Sequence, residues 1–322
     1  MTLLLGGSAL AACGDDPAAE AGEVFAADRD VVQSRAFDVR LPTGSLQVRI
    51  RNAAQTVSAD DTADGSELAA VDGVAYLGIG WDVSASDGRP DAVQPGAADL
   101  LSGVAERPSL VLVGRDGARF DVGTGGASEG VFVAVPEGLR ESGHLEVGFD
   151  GVVQQVSLDD YEVDPGDAVA LYDDPRADRE ELHCSGTTSA PDVALGQTCG
   201  ALLVEVPWAP EAGWAPPGTT WAAIRLEARL DVVDVGKGAG AASYTVTGAE
   251  VTATLAGDRP AATLAKPATG PGDTNAWLVF PMPAEPADLV VSGTYAAERT
   301  SGSPARPDTR DFTTTATVGI AP

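Results

Sequence analysis

The feature that most constrains this chain is an alternation of apolar and polar residues with a period of two, which recurs along almost all of its 322 residues. The longest clean case runs from Ala222 to Val232, where apolar side chains stand at even positions and charged ones at 225, 227, 229 and 231. This period predicts β-strands with one buried face. Turn residues predict two hairpins, one around 42–45 and a stronger one around Asp150-Gly151. Because no segment has a convincing helical period, the sequence predicts an all-β fold.

The two halves of the chain repeat the same order of strand-like segments, which indicates an internal duplication. The closest match sets Val131–Pro136 against Trp277–Pro281, and in each half another apolar segment follows about eight residues later. Short strands at regular spacing, with turn residues between them, are typical of β-sandwiches. We therefore expect two domains, 24–159 and 160–322.

Three segments carry a resemblance to a known class of domain: Tyr76–Trp81, Val113–Phe120 and Gly130–Pro136. Their order resembles the immunoglobulin-like domains of unknown function in exported lipoproteins of Gram-positive bacteria, actinobacteria among them. The resemblance covers roughly 34–157 and extends more weakly to the second half, which differs by a cysteine pair and a Pro/Trp-rich insertion. It implies two immunoglobulin-like antiparallel β-sandwich domains that make extracellular contacts, and it carries over no catalytic residues.

The N-terminal segment is apolar and ends in small residues at Cys13, and Leu10–Cys13 resembles the lipobox of bacterial lipoproteins. The resemblance implies cleavage before Cys13 and a diacylglyceryl group on its thiol. Residues 1–12 would then be a signal peptide and 13–23 a lipidated, acidic tether. No basic residue precedes the apolar run, so we expect the true start to lie upstream. The alternative is a buried apolar segment with a free thiol.

Charge and hydropathy limit the partners. A formal net charge of −28 argues against nucleic acid and against anionic membrane surfaces. After the signal, no apolar run approaches the ~20 residues that span a bilayer. We expect anchoring by the lipid on Cys13 at the extracytoplasmic face of the cell membrane, and an unidentified protein or cell-envelope partner.

The two remaining cysteines, Cys184 and Cys199, form the even count expected of an exported protein, and the residues between them are rich in turn formers. We predict a disulfide between them. The alternatives are a redox pair or a metal site that includes His183, but metal sites need three or four close ligands and the chain has two histidines. We expect no metal and no cofactor.

Catalytic motifs are not apparent. A serine nucleophile needs a base, usually histidine, and neither His144 nor His183 accompanies a Gly-x-Ser-x-Gly elbow. The acidic stretch 159–174 offers oxygen ligands of the kind Ca²⁺ uses, but its spacing does not fit an EF-hand, and a solvated acidic linker explains it equally. We predict no enzymatic activity and no catalytic residues.

The Pro/Trp-rich insertion, 207–217, is the candidate partner contact. Trp208 and Trp214 stand in a segment stiffened by proline, and tryptophan is enriched at interface hot spots. A contact surface requires at least one of these indoles to be exposed. The alternative is a structural plug at the end of the second sandwich. Trp81 and Trp221 lie within predicted strands and are expected in the core.

Together these features predict a membrane-anchored lipoprotein that acts as a non-catalytic binding module. One alternative is an exported hydrolase with an unrecognised acidic site. Another is the solute-binding lipoprotein of a transporter, a class in which strands and helices usually alternate.

Overall fold

The structure, a computed structural model, describes residues 19–28, 36–85, 97–126, 129–172, 180–183, 187–188 and 192–321. Strands make up 61% of it and helices 8%, so the predicted all-β class is confirmed. Both predicted hairpins are present, and the second turns through Asp150 and Gly151 at φ of 45° and 80°. Both angles lie in the left-handed region, as a two-residue hairpin turn requires.

The first half contains two antiparallel five-stranded sheets. Its strands are β1 (Val24–Ala26), β2 (Ala36–Leu41), β3 (Gly44–Ala54), β4 (Thr56–Val57), β5 (Leu68–Ala69), β6 (Val74–Ala85), β7 (Ser109–Val113), β8 (Arg119–Thr124), β9 (Glu129–Pro136), β10 (His144–Phe149), β11 (Val152–Ser157) and β12 (Val163–Asp164). Its helices are α1 (Ala98–Leu101) and α2 (Leu139–Ser142), with 3₁₀ turns at Ala59–Asp61 and Gly166–Leu171. The strand orders are β1–β9–β6–β3–β2 and β12–β11–β10–β7–β8, with β4 and β5 paired separately.

One apolar core lies between these two sheets. Strands of the first sheet contribute buried residues such as Leu46 and Ile79, and strands of the second contribute Leu112 and Val147. Trp81, which belongs to this core, is 1% exposed, so its predicted core position is confirmed. Each aliphatic side chain of this core contributes about 1.5–3 kcal/mol to the stability of the fold when it is fully buried. The first half is therefore a β-sandwich.

The second half forms one large antiparallel sheet. Its strands are β13 (Glu180–His183), β14 (Thr187–Thr188), β15 (Val193–Val206), β16 (Trp208–Ala209), β17 (Gly213–Trp214), β18 (Trp221–Val235), β19 (Ala242–Leu255), β20 (Ala262–Ala265), β21 (Asp273–Pro281), β22 (Ala287–Gly302) and β23 (Thr309–Ile320), with a 3₁₀ turn at Gly238–Gly240. The main path is β13–β15–β18–β19–β22–β23–β14, and β21 pairs with both β18 and β20. β16 and β17 form a separate hairpin.

This sheet divides into two facing layers. One layer is β15–β18–β21–β20 and the other is β19–β22–β23, and they are joined where the ends of β18 and β19 pair, from Val232 opposite Thr245 to Val235 opposite Ala242. A second core lies between them, with Ile224 and Leu278 from the first layer and Leu289 and Val318 from the other.

The segments that match between the two halves of the sequence lie on strands with equivalent pairing. β6 pairs with β3 and β9 as β18 pairs with β15 and β21, and β10 pairs with β7 and β11 as β22 pairs with β19 and β23. The matched prolines occupy equivalent places: Pro136 lies opposite Val74, the first residue of β6, and Pro281 lies opposite Trp221, the first residue of β18. Trp221 is 8% exposed, so its predicted burial is also confirmed.

The predicted alternation through Val232 is wrong at its end. The buried positions run through Leu230, and then Val232 is 45% exposed while Val233 is buried. The register shifts at this point, since Leu195 lies opposite Val233 but Gln197 lies opposite Leu230. The extra residue in β18 is a β-bulge, which reverses the faces of every residue after it.

The first sandwich extends past the predicted boundary at 159/160. β12 pairs with β11, and the hydroxyl of Tyr172 accepts from the backbone N–H of Arg40 at 3.0 Å and donates to Gln154 Oε1 at 2.6 Å. Gln154 is 1% exposed and donates to the Arg40 carbonyl at 2.7 Å, so its amide is paired at both ends. This buried polar contact ties the segment through Tyr172 to the first half.

The expectation of an unfolded tether through Glu23 is also wrong. Ala19 is 3% exposed, forms a β-bridge with Ala70 and packs in a cluster with Tyr76 and Phe132. The Gly22 N–H donates to the Ala134 carbonyl at 2.8 Å. A composition poor in large apolar residues does not prevent this, because an alanine fills a small gap and the backbone supplies the hydrogen bonds. Residues 1–18, including Cys13, lie outside the described part of the chain.

Cys199 lies on β15, half-buried against the second core. Cys184 lies outside the described residues, so the disulfide stays a prediction. The pairing of β13 with β15 ends with His183 opposite Gly200.

We predict that mass spectrometry of an unreduced digest finds the peptides of Cys184 and Cys199 linked. Cys184→Ala should lower the free energy of unfolding by about 2–4 kcal/mol, since the closed loop restricts the unfolded chain. Cys13→Ser is the control and should leave the linked peptides unchanged. Alkylation of both thiols without reductant would contradict the prediction.

Candidate functional site

The short helix α1, which belongs to the first half, packs on the second. Ala97 and Leu100 are buried against the outer face of the layer β15–β18–β21–β20, the face turned away from the second core, beside Trp277 and Val279. Leu101 contacts both this group of buried residues on the second half and the core of the first half. The layer is thus covered by apolar side chains on both faces at this end.

Asp99 of α1 carries the polar part of this contact. Its Oδ2 accepts from the indole N–H of Trp277 at 3.1 Å and lies 3.5 Å from Arg225 Nη1, while its backbone carbonyl accepts from Lys266 Nζ at 2.8 Å. Desolvation opposes ionisation of the carboxyl, but the Trp277 hydrogen bond and the charges of Lys266 and Arg225 outweigh it. The pKa of Asp99 therefore lies below its ordinary value.

The tryptophan hairpin, β16–β17, makes the reverse contact, from the second half to the first. Trp208 is 5% exposed and meets the ring of Phe149 edge-on at 5.3 Å between centroids, and Trp214 lies half-buried on the same ring at 6.5 Å. Trp208 Nε1 donates to Asp150 Oδ2 at 2.7 Å, and Trp214 Nε1 donates to the Phe149 carbonyl at 3.0 Å.

The expectation of an exposed contact surface at Trp208 or Trp214 is therefore wrong. Both indoles contact the first core and both N–H groups are paired, so the hairpin is a plug. The plug closes the end of the first sandwich rather than the second, because the tip of the β10–β11 hairpin supplies both an aromatic ring and two acceptor oxygens.

A candidate binding site is a polar cleft of about 250 Å³ on the same outer face, beyond the edge of the α1 contact. Here the outward side of β18 changes from the buried Ala223 to charged residues, and that of β21 changes from the buried Trp277 to Asn275 and Asp273. The cleft is lined by Thr198, Glu227, Ala228, Arg229, Pro267, Ala268, Thr269, Asp273, Thr274 and Asn275.

Strand pairing fixes the geometry of the cleft. Arg229 lies opposite Asp273 across β18 and β21, and Glu227 lies opposite Asn275. Close approach of the two strands requires Gly272, because a Cβ there would come within 1.9 Å of the Leu230 carbonyl oxygen. The backbone N–H of Leu230 in turn donates to the Gly272 carbonyl at 3.1 Å. The start of β21 is therefore held tightly against β18.

Two oxygen atoms in the cleft are buried without a hydrogen-bond partner among the described residues: Asp273 Oδ1 and Asn275 Oδ1. The Asp273 side chain is only 9% exposed, and its other oxygen accepts from the Thr269 hydroxyl. Burying an unpaired acceptor costs about 1–3 kcal/mol, so such groups are rare in native proteins and each calls for an explanation. Both oxygens are covered by the protein itself, and Asp273 Oδ1 lies 3.7 Å from Arg229 Nε.

Arg229 limits what this cleft can hold. Its Nε donates to Asp231 Oδ2 at 2.7 Å and lies 3.7 Å from Asp273 Oδ1, and the hydrogen bond to Asp231 raises the pKa of the guanidinium. The positive charge beside the carboxylate disfavours a cation. In the described ranges, moreover, no group of three or more His, Cys, Asp or Glu residues could hold a metal ion.

The other residues considered from the sequence have local roles. His144 begins β10 with its Nε2 3.6 Å from Glu146 Oε1, and a bidentate hydrogen bond from Arg119 holds the pKa of Glu146 below its ordinary value. In the acidic stretch, the carboxylates of Asp160 and Asp164 accept from backbone N–H groups two residues on, as turn residues do. Asp173, Asp174 and the His183 side chain lie outside the described part.

No protein-family model, curated protein or solved structure matches the chain. Within the described residues, no helix has the length and apolar character needed to cross a membrane.

We predict that Asp99→Asn weakens the α1 contact in a pH-dependent way. Because the pKa of Asp99 is lowered on folding, its carboxylate stabilises the protein above the unfolded pKa of about 3.9 and this contribution is lost as pH falls through the folded pKa. Urea unfolding should show the variant less stable than wild type at pH 7, with the difference shrinking below about pH 4. Asp288→Asn, at an exposed position of β22, is the control. An equal difference at both pH values would contradict the role of the charge.

We also predict that Trp208→Ala destabilises the whole molecule, by about 3–5 kcal/mol for the loss of a buried tryptophan. Calorimetry should show the lower-melting variant unfolding in two steps, because the halves lose a contact that couples them. Val232→Ala, at a 45% exposed position, should change stability by less than about 0.5 kcal/mol. An unchanged single transition for Trp208→Ala would show that the hairpin does not couple the halves.

Proposed function

We propose that this chain is a membrane-anchored extracytoplasmic lipoprotein that acts as a non-catalytic binding module at the cell surface. The Leu10–Cys13 segment supports the anchor, because it has the small-residue approach to a cysteine that lipid attachment requires. Two acyl chains on Cys13 suffice for stable anchoring, whereas one gives only marginal, reversible binding.

We further propose that both halves are immunoglobulin-like. The constant-type fold has strands A-B-E-D in one sheet and C-F-G in the other. The order β15–β18–β21–β20 with β19–β22–β23 corresponds to it strand for strand. In the first half, β3–β6–β9 and β8–β7–β10–β11 correspond to A-B-E and C′-C-F-G, the order of a variable-type sheet. Sandwiches of this type occur widely in cell-surface proteins, which agrees with a contact role.

The observation that carries the binding function is the polar cleft on the outer face, where Arg229, Asp273 and Asn275 are brought together. They stand on paired strands rather than on a loop, so binding would cost little ordering entropy. The partner would be a protein or cell-envelope component that brings donor groups into the cleft. The alternative of a transporter's solute-binding lipoprotein loses support from the small helix content, since such receptors usually alternate strands and helices.

We predict that metabolic labelling with an alkyne fatty acid tags the protein in its native cells. Cys13→Ser should lose the label and release the chain from the membrane fraction, because no other group would carry the lipid. Cys184→Ala removes a different cysteine and should keep the label. Labelling that survives Cys13→Ser would refute the anchor.

A further inference from the structure

We propose that the end of the first sandwich at which the chain enters faces the bilayer at close range, and that the second half is the part presented to partners in the cell envelope. This inference rests on the proposed lipid anchor at Cys13 and goes beyond it, because it assigns the surface of the molecule that meets the membrane. It follows from the place where Ala19 packs on the fold.

The N-terminal segment is held against the first sandwich from Ala19 onward. Ala19 is 3% exposed and forms a bridge with Ala70. The Gly22 N–H donates to the Ala134 carbonyl at 2.8 Å, and the Ala134 N–H donates to the Glu23 carbonyl at 2.9 Å. The chain then continues as β1, paired with β9. The part of the tether that is not tied to the sandwich in this way therefore ends at Ala19.

The tether between the lipid and this packed segment is short. Five residues, 14–18, separate Cys13 from Ala19. The six steps along the chain from Cys13 to Ala19 reach at most about 20 Å, whatever conformation the residues adopt. With the acyl chains of Cys13 in the bilayer, Ala19 must stay within roughly that distance of the lipid headgroups.

The strand directions show at which end of the first sandwich the chain enters. β9 ends at Pro136, opposite Val74, which is the first residue of β6. Ala19 lies at this end, because its bridge partner Ala70 shortly precedes Val74 in the chain. The helix α2 follows β9 here and leads into β10. We call this end, formed by the start of β6, the end of β9 and α2, the entry end.

The second half contacts the opposite end of the first sandwich. β10 runs back from His144, beside α2, to Phe149, and the ring of Phe149 packs against Trp208 and Trp214. The other contact, α1, lies between the end of β6 and the start of β7, at the same opposite end. β6 has 12 residues, so the two ends are about 36 Å apart. With the entry end toward the bilayer, the second half is held beyond the first.

Charge opposes an arrangement in which the molecule lies on its side. With 48 Asp and Glu against 20 Lys and Arg, a long face laid on an anionic bilayer would bring many carboxylates to it. The entry end is itself acidic, with Asp72, Glu137 and Glu141 exposed, so it should stand off rather than adhere. Because the Debye length is about 8 Å at physiological salt, an end held at the reach of the tether lies outside most of this repulsion.

The test is energy transfer from a fluorophore on the protein to rhodamine-labelled lipid in vesicles of phosphatidylglycerol and phosphatidylcholine. The lipidated full chain, purified from its native cells, carries one added cysteine at an exposed position: Asp72→Cys at the entry end, Asp38→Cys on β2, or Lys237→Cys in the second half. Through the pairing of β2 with β3 and of β3 with β6, Asp38 lies level with Asp82, about 26 Å from the start of β6. Lys237 follows β18 at the end remote from the tryptophan hairpin. The parent chain without an added cysteine measures the background label.

Energy transfer should be greatest from the Asp72 position, smaller from Asp38 and smallest from Lys237. A flexible insertion of about 30 Gly and Ser residues after Asp16 is the control for the tether and should lower the transfer from the Asp72 position, because it raises the mean reach of the tether roughly twofold. Transfer from this position should also be greater at about 0.15 M salt than at about 0.01 M, where the Debye length of about 30 Å exceeds the tether and repulsion draws it out. Vesicles of phosphatidylcholine alone carry no net charge and should remove this salt dependence.

Equal transfer from the Asp72 and Asp38 positions would overturn the proposal, because the molecule would then lie on its side. Greatest transfer from Lys237 would overturn it as well, because the second half would then face the bilayer. A thermal melt of each variant confirms that the added cysteine leaves the fold intact. The Cys13→Ser chain lacks the lipid and should give no transfer from any position. A chain that keeps its fatty-acid label but shows the wrong order of transfer refutes the orientation alone, whereas loss of the anchor appears as a missing label.

Discussion

One layer of the second half, β15–β18–β21–β20, is apolar on both faces over part of its length, and this constraint organises the molecule. Ala222 and Leu278 face the second core, while Ala223 and Val279 face outward and are equally buried. A sheet with two apolar faces must be covered on both. The first half supplies the cover with α1, and the second half returns the contact by inserting the tryptophan hairpin against the first core. Each half thus completes the burial of the other.

The position of the polar cleft follows from where that cover ends. Along the outward side of β18 the residues change from Ala223 under α1, through Arg225 at its edge, to Glu227 and Arg229 beyond it. Arg225 belongs to both regions, since it lies near Asp99 on one side and pairs with Glu227 at 2.8 Å on the other. The strands that are packed under α1 at one end therefore also position the side chains of the polar cleft at the other end.

Local chemistry made much of the fold predictable. The Asp150-Gly151 turn and the alternation through Leu230 each depend on residues close in sequence. The tryptophan hairpin did not follow from its sequence, because its partners Phe149 and Asp150 lie some 60 residues away in another sandwich. Nor did the cleft, because the sequence does not show that Asp273 lies opposite Arg229 and Asn275 opposite Glu227 on a paired strand. The bulge that turns Val232 to the outside of the sheet could not be predicted from alternation either, because it shows only in the pairing of β18 with β15.

The chain has few positively charged residues, and several of them lie together on this outer face. With 20 Lys and Arg against 48 Asp and Glu, most of the surface must repel anions. Yet Arg225, Arg229 and Lys266, one of only two lysines, gather on this one face beside Asp99, Asp231 and Asp273. Local charge is therefore close to balanced here, unlike in the protein as a whole. A ligand recognised at such a place would gain little from long-range attraction and would be selected by short-range hydrogen bonds.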